Sequence, residues 1–316
     1  MKAHGVNTVL TLLALTSIAA QRPGSRYQGP IIDMHMHANT VQKDADGRPL
    51  SGPCNPRPCQ GPRPQAETAE DVLKLTLEAM DRHNVVLGFL SQYPLERVYR
   101  WVEAAPNRFI ASPLILDPSL IDREGLRREY EAGRLGGLGE LAVQYEGIAA
   151  GDPKLEPFYR LAEEFDVPVL THHHGTAGPS DRFRISLGHP EQLEEVLIRH
   201  PKLRLFMENS GYPFLGEMIA LMYRYLQVYG DLSTGTWIYP RASFHAYLKG
   251  LVDAGLGKRL MFGSDQMQWP ETIGLAIETI QAADFLSAEQ KADIFYNNAA
   301  RFLRLDDETI AKHHGR

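Results

Sequence analysis

Two histidines separated by one residue close the apolar run "PIIDMHMHANT". On an extended strand His35 and His37 project to the same face, with Asp33 one step deeper by the same parity. Two neutral imidazoles held that way are a metal-binding pair suited to zinc, iron and similar ions. A second set follows another apolar run, "VPVLTHHH", where His172 and His174 share one face and His173 takes the other. A third chemical group is Asp265, which ends "RLMFGSD". A carboxylate in such a place can bind a metal and take a proton from water. Glu140 in "GLGEL" and Glu208–Asn209 in "LFMENS" also fall at the ends of apolar runs.

These groups need a scaffold that brings distant strand ends together. After the first thirty residues the chain alternates between short β-branched or apolar runs and longer stretches with helical spacing. "IIDMHMH", "VVLGFLSQ", "RFIASPLI", "LGGLGELAVQY", "VPVLTHHH", "LRLFMENS", "VYGDLST" and "RLMFGSDQ" read as eight strands, each followed by a helix. A last helix covers "SAEQKADIFYNNAARFLRL". Eight such pairs fit a (β/α)₈ barrel, whose chemistry sits at the C-terminal strand ends. A doubly wound open sheet is the alternative, but no Gly-rich phosphate turn follows strand one. The Pro- and Gly-rich "GRPLSGPCNPRPCQGPRPQ" is a long loop after strand one.

The quoted motifs, together with "NNAARFL" in the closing helix, resemble the amidohydrolase superfamily. The nearer resemblance is to its amidohydrolase-related branch, which holds metal-dependent hydrolases and the aminocarboxymuconate-semialdehyde decarboxylase group. The resemblance runs from about Pro30 to Leu305. It implies a distorted (β/α)₈ barrel with a divalent metal, commonly zinc, held by His35, His37, His172 and Asp265. It also implies that Asp265 moves the proton in catalysis, and that Glu140 either bridges metals or orients a ligand histidine. Members of that branch usually end strand six with a histidine, in a sequence like "HAGYP". Here the stretch is "MENSGYP", which sets Asn209 in that place. An asparagine can donate to a developing oxyanion but is a poor metal ligand and cannot shuttle a proton. One zinc per chain is therefore expected, with Asn209 as an oxyanion donor and His174 as a possible compensating group.

The expected activity is attack by a metal-activated water on an amide, ester or lactone of a small molecule. A decarboxylase of the same branch and a non-catalytic metal-binding barrel are the alternatives. Arg182 and Arg184, after strand five, are candidate contacts for an anion or else solvated loop charges; Trp237 and Trp269 are candidate pocket walls or plain packing.

The 316 residues carry a net charge of −6 with no basic block, which leaves no footprint for nucleic acid or an anionic membrane. Residues 1–20, with Lys2, an apolar run from Val9 and Ala19–Ala20 before polar "QRPGS", read as a signal peptide cleaved near Ala20. Export to the periplasm or medium follows, with residues 21–316 as one barrel domain and no stable membrane association after cleavage. In an oxidising compartment Cys54 and Cys59 are expected to close a local disulfide. A homo-oligomer is compatible with all of this.

Overall fold

The computed structural model describes residues 26–175 and 180–315. The signal-peptide stretch lies outside the described residues. The strands are β1 (Ile31–His37), β2 (Val85–Gln92), β3 (Phe109–Pro113), β4 (Leu138–Leu141), β5 (Val169–Thr171), β6 (Leu205–Met207), β7 (Val228–Asp231) and β8 (Leu260–Met261). All pair in parallel, as β1-β2-β3 and β4-β5-β6-β7-β8. The helices are α1 (Ala69–Arg82), α2 (Glu96–Ala104), α3 (Arg123–Glu131), α4 (Glu156–Glu164), α5 (Glu194–Arg199), α6 (Leu215–Arg224), α7 (Gly235–Ile238), α8 (Arg241–Asp253), α9 (Thr272–Gln281), α10 (Ala288–Ala292), α11 (Asn298–Leu303) and α12 (Asp307–His313).

Two seams join these sheets into a distorted barrel. Between β3 and β4, Ile115 N donates to Glu140 O at 2.8 Å and Ala142 N to Ile115 O at 2.9 Å. Between β8 and β1, Met34 N donates to Phe262 O at 2.9 Å and Asp265 N to His35 O at 2.7 Å. Few backbone bonds span each seam, and β8 pairs with β7 over two residues only, shorter than its apolar run suggests.

The local elements follow from sequence chemistry. A capping box between Thr68 and Asp71 starts α1, satisfying amides that a helix start leaves unpaired. Parallel strands covered by helices are buried on both faces, and β1 is buried along its whole length. One apolar cluster lies between strands and helices and includes Ile31, Met36, Leu90, Leu205 and Ile277. A second joins Ile32, Met34, Phe89, Leu170 and Phe206 to Tyr296 and Phe302 of the closing segment. That segment lies against the strand starts: Arg204, just before β6, donates to Phe302 O at 2.7 Å, and Asn298 to Leu260 O at 2.6 Å. The opposite end of the barrel is left for loops. Expected as one helix, the closing segment contains a π-helical turn over Asp293–Asn297 between α10 and α11.

The long loop after β1 is tied down over that open end. Cys54 and Cys59 form a disulfide. Asn55 N donates to Ile238 O at 2.8 Å and Gly52 N to Pro62 O at 2.8 Å. Trp269 Nε1 donates to Leu50 O at 2.9 Å. The segment has no regular element, yet it is a fixed strap between the β7 and β8 ends. No helix among the described residues is long and apolar enough to cross a membrane.

Candidate metal centre

The strand ends place seven imidazole or carboxylate groups on one buried floor. His35 and His37 come from β1, Glu140 from β4, His172 and His174 follow β5, and Asp265 follows β8. Glu208 follows β6 and joins them. The donor atoms fall into sets close enough to share an ion: His35, His37 and Glu140; His172, His174 and Glu208; and His35, Glu208 and Asp265.

Within the first set the two Nε2 atoms of His35 and His37 stand 3.1 Å apart. Glu140 Oε2 is 3.3 Å from His37 Nε2 and 3.7 Å from His35 Nε2. Asp265 Oδ1 is 3.1 Å from His37 Nε2 and 3.8 Å from His35 Nε2. The other oxygen of Glu140, Oε1, is 2.6 Å from His172 Nδ1. Glu208 contacts that same His172 nitrogen and holds its Oε1 3.3 Å from His174 Nε2. Glu140 thus presents one oxygen to each group of histidines.

These atoms meet one another without satisfying one another. His172 Nε2, Glu208 Oε2 and Asp265 Oδ1 are buried and make no hydrogen bond of proper geometry. Buried polar atoms without partners are costly, and a coordinated ion is a standard reason for them. Imidazole nitrogens and carboxylate oxygens are a donor set that fits a divalent transition metal.

The surroundings hold the ligands in place. His35 Nδ1 lies 3.2 Å from Asp231 Oδ2, and His37 Nδ1 lies 3.0 Å from Ser91 Oγ. Such outer contacts fix the tautomer and the ring plane of a ligand. Burial opposes charge on His35, but Asp265, Asp231 and Glu140 outweigh it and raise its pKa well above the ordinary value. Burial and Glu208 both oppose charge on Glu140, yet His172 and His35 hold its pKa down to about 2. Glu208 is likewise held well below the usual range, with burial overcome by His172 and His174. Glu140 and Glu208 are thus held ionised by the histidines around them. Asp33 is pushed up to about 7 by burial, and its Oδ1 accepts from Ser264 N at 2.9 Å, fastening the β8–β1 seam.

Backbone shape aims several of these side chains. Asp265, Asn209, Ser210 and Met267 all have positive φ, a conformation costly to non-glycine residues and concentrated at functional sites. Gly139, at φ +100°, lets β4 approach β5, since a Cβ there would stand 2.2 Å from Leu170 O. That close approach brings Glu140 to His172.

Of the expected set, His35, His37 and Asp265 meet directly, and His172 joins them through Glu140, whose two oxygens face both sides. Asn209 differs from expectation. Its amide donates to Thr234 Oγ1 at 2.6 Å, and its Oδ1 accepts from Gly235 N at 2.5 Å. It braces the loop after β7 and also donates to Glu208 Oε1 at 3.4 Å, so its donors are already taken up by protein groups. The positive φ at Asn209 turns it off the strand, and Glu208 is the residue at the end of β6 that faces the floor. His173 points elsewhere, to Thr171 and Gln144, and burial followed by His172 and His174 lowers its pKa to about 3. Arg182 pairs with Glu146, and Arg184 donates to Asp181 O and Phe183 O, so both serve the loop. Trp269 lines the cleft, and Trp237 packs behind it at 6.2 Å between ring centroids. Sequence reasoning missed Asp231, although a carboxylate ending strand seven carried the same positional signal as Asp265.

Above the floor is a cleft of about 1340 Å³ walled by the strap, Leu114, Leu116, Phe183, Ile185 and Trp269. Its size suits a small molecule larger than the reacting group alone.

The amidohydrolase family model matches residues 32–305. No curated protein matches the chain by sequence. Among solved structures, the probable 2-pyrone-4,6-dicarboxylic acid hydrolase of Acinetobacter baumannii, with citric acid bound, is 14% identical, with TM-score 0.58 over 87% of this chain and 99% of that one. An amidohydrolase of Burkholderia multivorans with bound zinc is 16% identical, with TM-score 0.59 over 88% and 100%. The 5-carboxyvanillate decarboxylase of Sphingomonas paucimobilis is 18% identical, with TM-score 0.51 over 73% and 82%. At these identities the likeness is one of fold. With buried metal-binding groups at the strand ends and a family match over most of its length, the chain belongs to the amidohydrolase family and is a metal-dependent enzyme acting on a small molecule, of hydrolase or decarboxylase type.

Proposed function

We propose that the chain is a hydrolase that directs an activated water at a carbonyl-type centre, an amide, ester or lactone. The observation that carries this reading is Glu140 lying between two histidine groups, with Glu208 and Asp265 on the same floor. His35, His37, Glu140 and Asp265 would hold one divalent ion, and His172, His174 and Glu208 a second, with Glu140 shared. Zinc suits these imidazole and carboxylate donors. A divalent ion in this place supplies a lowered pKa for water and a Lewis acid for the carbonyl oxygen. Asp265 accepts the proton as water attacks and returns it to the leaving group. Asp231 and Ser91 keep His35 and His37 aligned.

Hydrolysis is preferred to decarboxylation because it needs a base for water, and Asp265 offers a buried carboxylate oxygen without a hydrogen bond beside the β1 histidines. The test is a screen of aryl esters, lactones, amides and carboxylated aromatic acids with and without chelator. Chelator-sensitive hydrolysis is expected. Carbon dioxide release without hydrolysis would assign the decarboxylase reaction. Retained metal without turnover on any class would leave a binding protein.

Export is proposed with the same reading. The mature N-terminus of the exported chain is expected near Gln21, and an intact Met1 on soluble cytoplasmic protein would count against it.

A further inference from the structure

We propose that the substrate carries a medium-length hydrocarbon chain on its reacting carbonyl, laid along two apolar walls that run from the metal floor to the rim of the cleft. The substrate class is then acyl compounds with an alkyl or aryl-alkyl tail. This rests on the hydrolase reading above.

The first wall continues β3. Ile115 is buried, and it bridges to Leu141 through its N, which donates to Glu140 O at 2.8 Å, and its O, which accepts from Ala142 N at 2.9 Å. Alternate side chains of an extended segment share a face, so fixing Ile115 inward turns Leu114 and Leu116 to the cleft, which both of them line. The second wall begins on the floor. The ring of Tyr145 packs on His172 at 4.8 Å between centroids, and Phe183 follows Tyr145 at 6.3 Å. Ile185 carries the row on to the rim. This segment is fixed at both ends. Ser180 Oγ donates to Tyr145 O at 2.6 Å, and Gly188 lies so close to the next loop that a Cβ there would stand 1.9 Å from His174 O.

A single exposed leucine is ordinary on a protein surface, whereas exposed apolar side chains gathered in one place mark a contact. Nine large apolar side chains stand well exposed among the described residues, and three of them line this one cleft: Leu50 at 38%, Leu116 at 43% and Ile185 at 63%. They ring the mouth, while Leu114, Phe183 and Trp269 lie below them. A second copy of the chain would cover the mouth and leave the cleft of about 1340 Å³ beneath it unfilled. A hydrocarbon chain attached to a carbonyl on the floor covers both, because the two walls are continuous from His172 and Glu140 outward.

The test is calorimetry of straight-chain alkanohydroxamates, from acetohydroxamate to decanohydroxamate, on the zinc-loaded full chain, below the concentrations at which they aggregate. Affinity is expected to rise about threefold for each added methylene until the tail reaches the rim, with an increasingly negative heat-capacity change, the mark of apolar burial. Leu116→Asn combined with Ile185→Asn is expected to weaken the longest chains about tenfold and to leave acetohydroxamate unchanged, and each single variant to show part of that loss. Linear alcohols from butanol to decanol, which lack a metal-seeking head, are expected to show the same trend and the same loss, so the walls are read apart from the metal. Affinity flat with length, or a rise kept in full by the double variant, overturns the tail site. A flat series with a dimer that the double variant dissociates in sedimentation gives the rim to a second copy and also overturns it. No binding of acetohydroxamate by the wild type overturns the metal-centre reading, and the alcohols then decide the walls by themselves.

Discussion

Purified chain loaded with zinc and then dialysed is expected to return about two ions per chain, and Glu208→Gln about one. The sequence pattern pointed to a single ion, because an asparagine stands where similar proteins end strand six with a histidine. The arrangement at the end of β6 supports the proposed second ion. Asn209 leaves the strand with φ 50° and spends its amide on Thr234 and Gly235. Glu208 takes the inward position, touching His172 and lying 3.3 Å from His174. A carboxylate is a good oxygen ligand, so the strand-six end still contributes a donor. Glu140 has an oxygen toward each group, and its ionised form is favoured by the histidines around it. Glu208→Gln removes the charge and keeps the shape, so loss of one ion would isolate ligation from packing. One ion in the wild type, unchanged in Glu208→Gln, would reduce Glu208 to a hydrogen-bond acceptor for His172 and His174.

How much of this was legible follows from what each residue type reveals by itself. The strand at Ile31–His37 and the one at Val85–Gln92 have the limits their apolar runs suggest, because each run is long and flanked by turn-forming residues, Gly29–Pro30 before the first and Asn84 and Pro94 about the second. The run ending in Asp265 is broken after Met261, since closure against β1 rests on isolated bonds from Asp265 and Met34. His35, His37, Glu140, His172 and Asp265 were visible because histidines and carboxylates at strand ends are chemically distinctive. The choice between Glu208 and Asn209 was not visible. It turns on consecutive positive φ angles at Asn209 and Ser210, which neither propensity nor periodicity reports for such residues. The course of the strap was hidden for a different reason. It is a Pro-rich stretch with no period, so only the disulfide and the contacts to Ile238 and Trp269 reveal which way the loop folds.

Asp265→Asn is expected to lower kcat by about 10³-fold while most of the metal stays bound, the usual size of effect when a positioned proton acceptor is removed. The side chain is 3.1 Å from His37 and 3.8 Å from His35, so it stands beside the ligands of the β1 end. Its Oδ1 is buried without a proper hydrogen bond, leaving a lone pair free for a proton or an ion. The positive φ of 45° turns the carboxylate in toward the floor, while Asp265 N remains bonded to His35 O at 2.7 Å. Asparagine can hold this backbone shape, since it tolerates the left-handed region better than most residues. The substitution therefore removes the basic oxygen with little change in the fold. Asp265→Ala and His35→Ala are expected to abolish activity, and His35→Ala also to strip the ion, because a nitrogen donor disappears from the shared floor. Steady-state kinetics with metal analysis on the same samples separates these effects. If Asp265→Asn kept more than a tenth of wild-type kcat with full metal, the proton would go instead to Glu208 or Glu140, both held ionised among the histidines, and Glu208→Gln or Glu140→Gln would then show the larger loss.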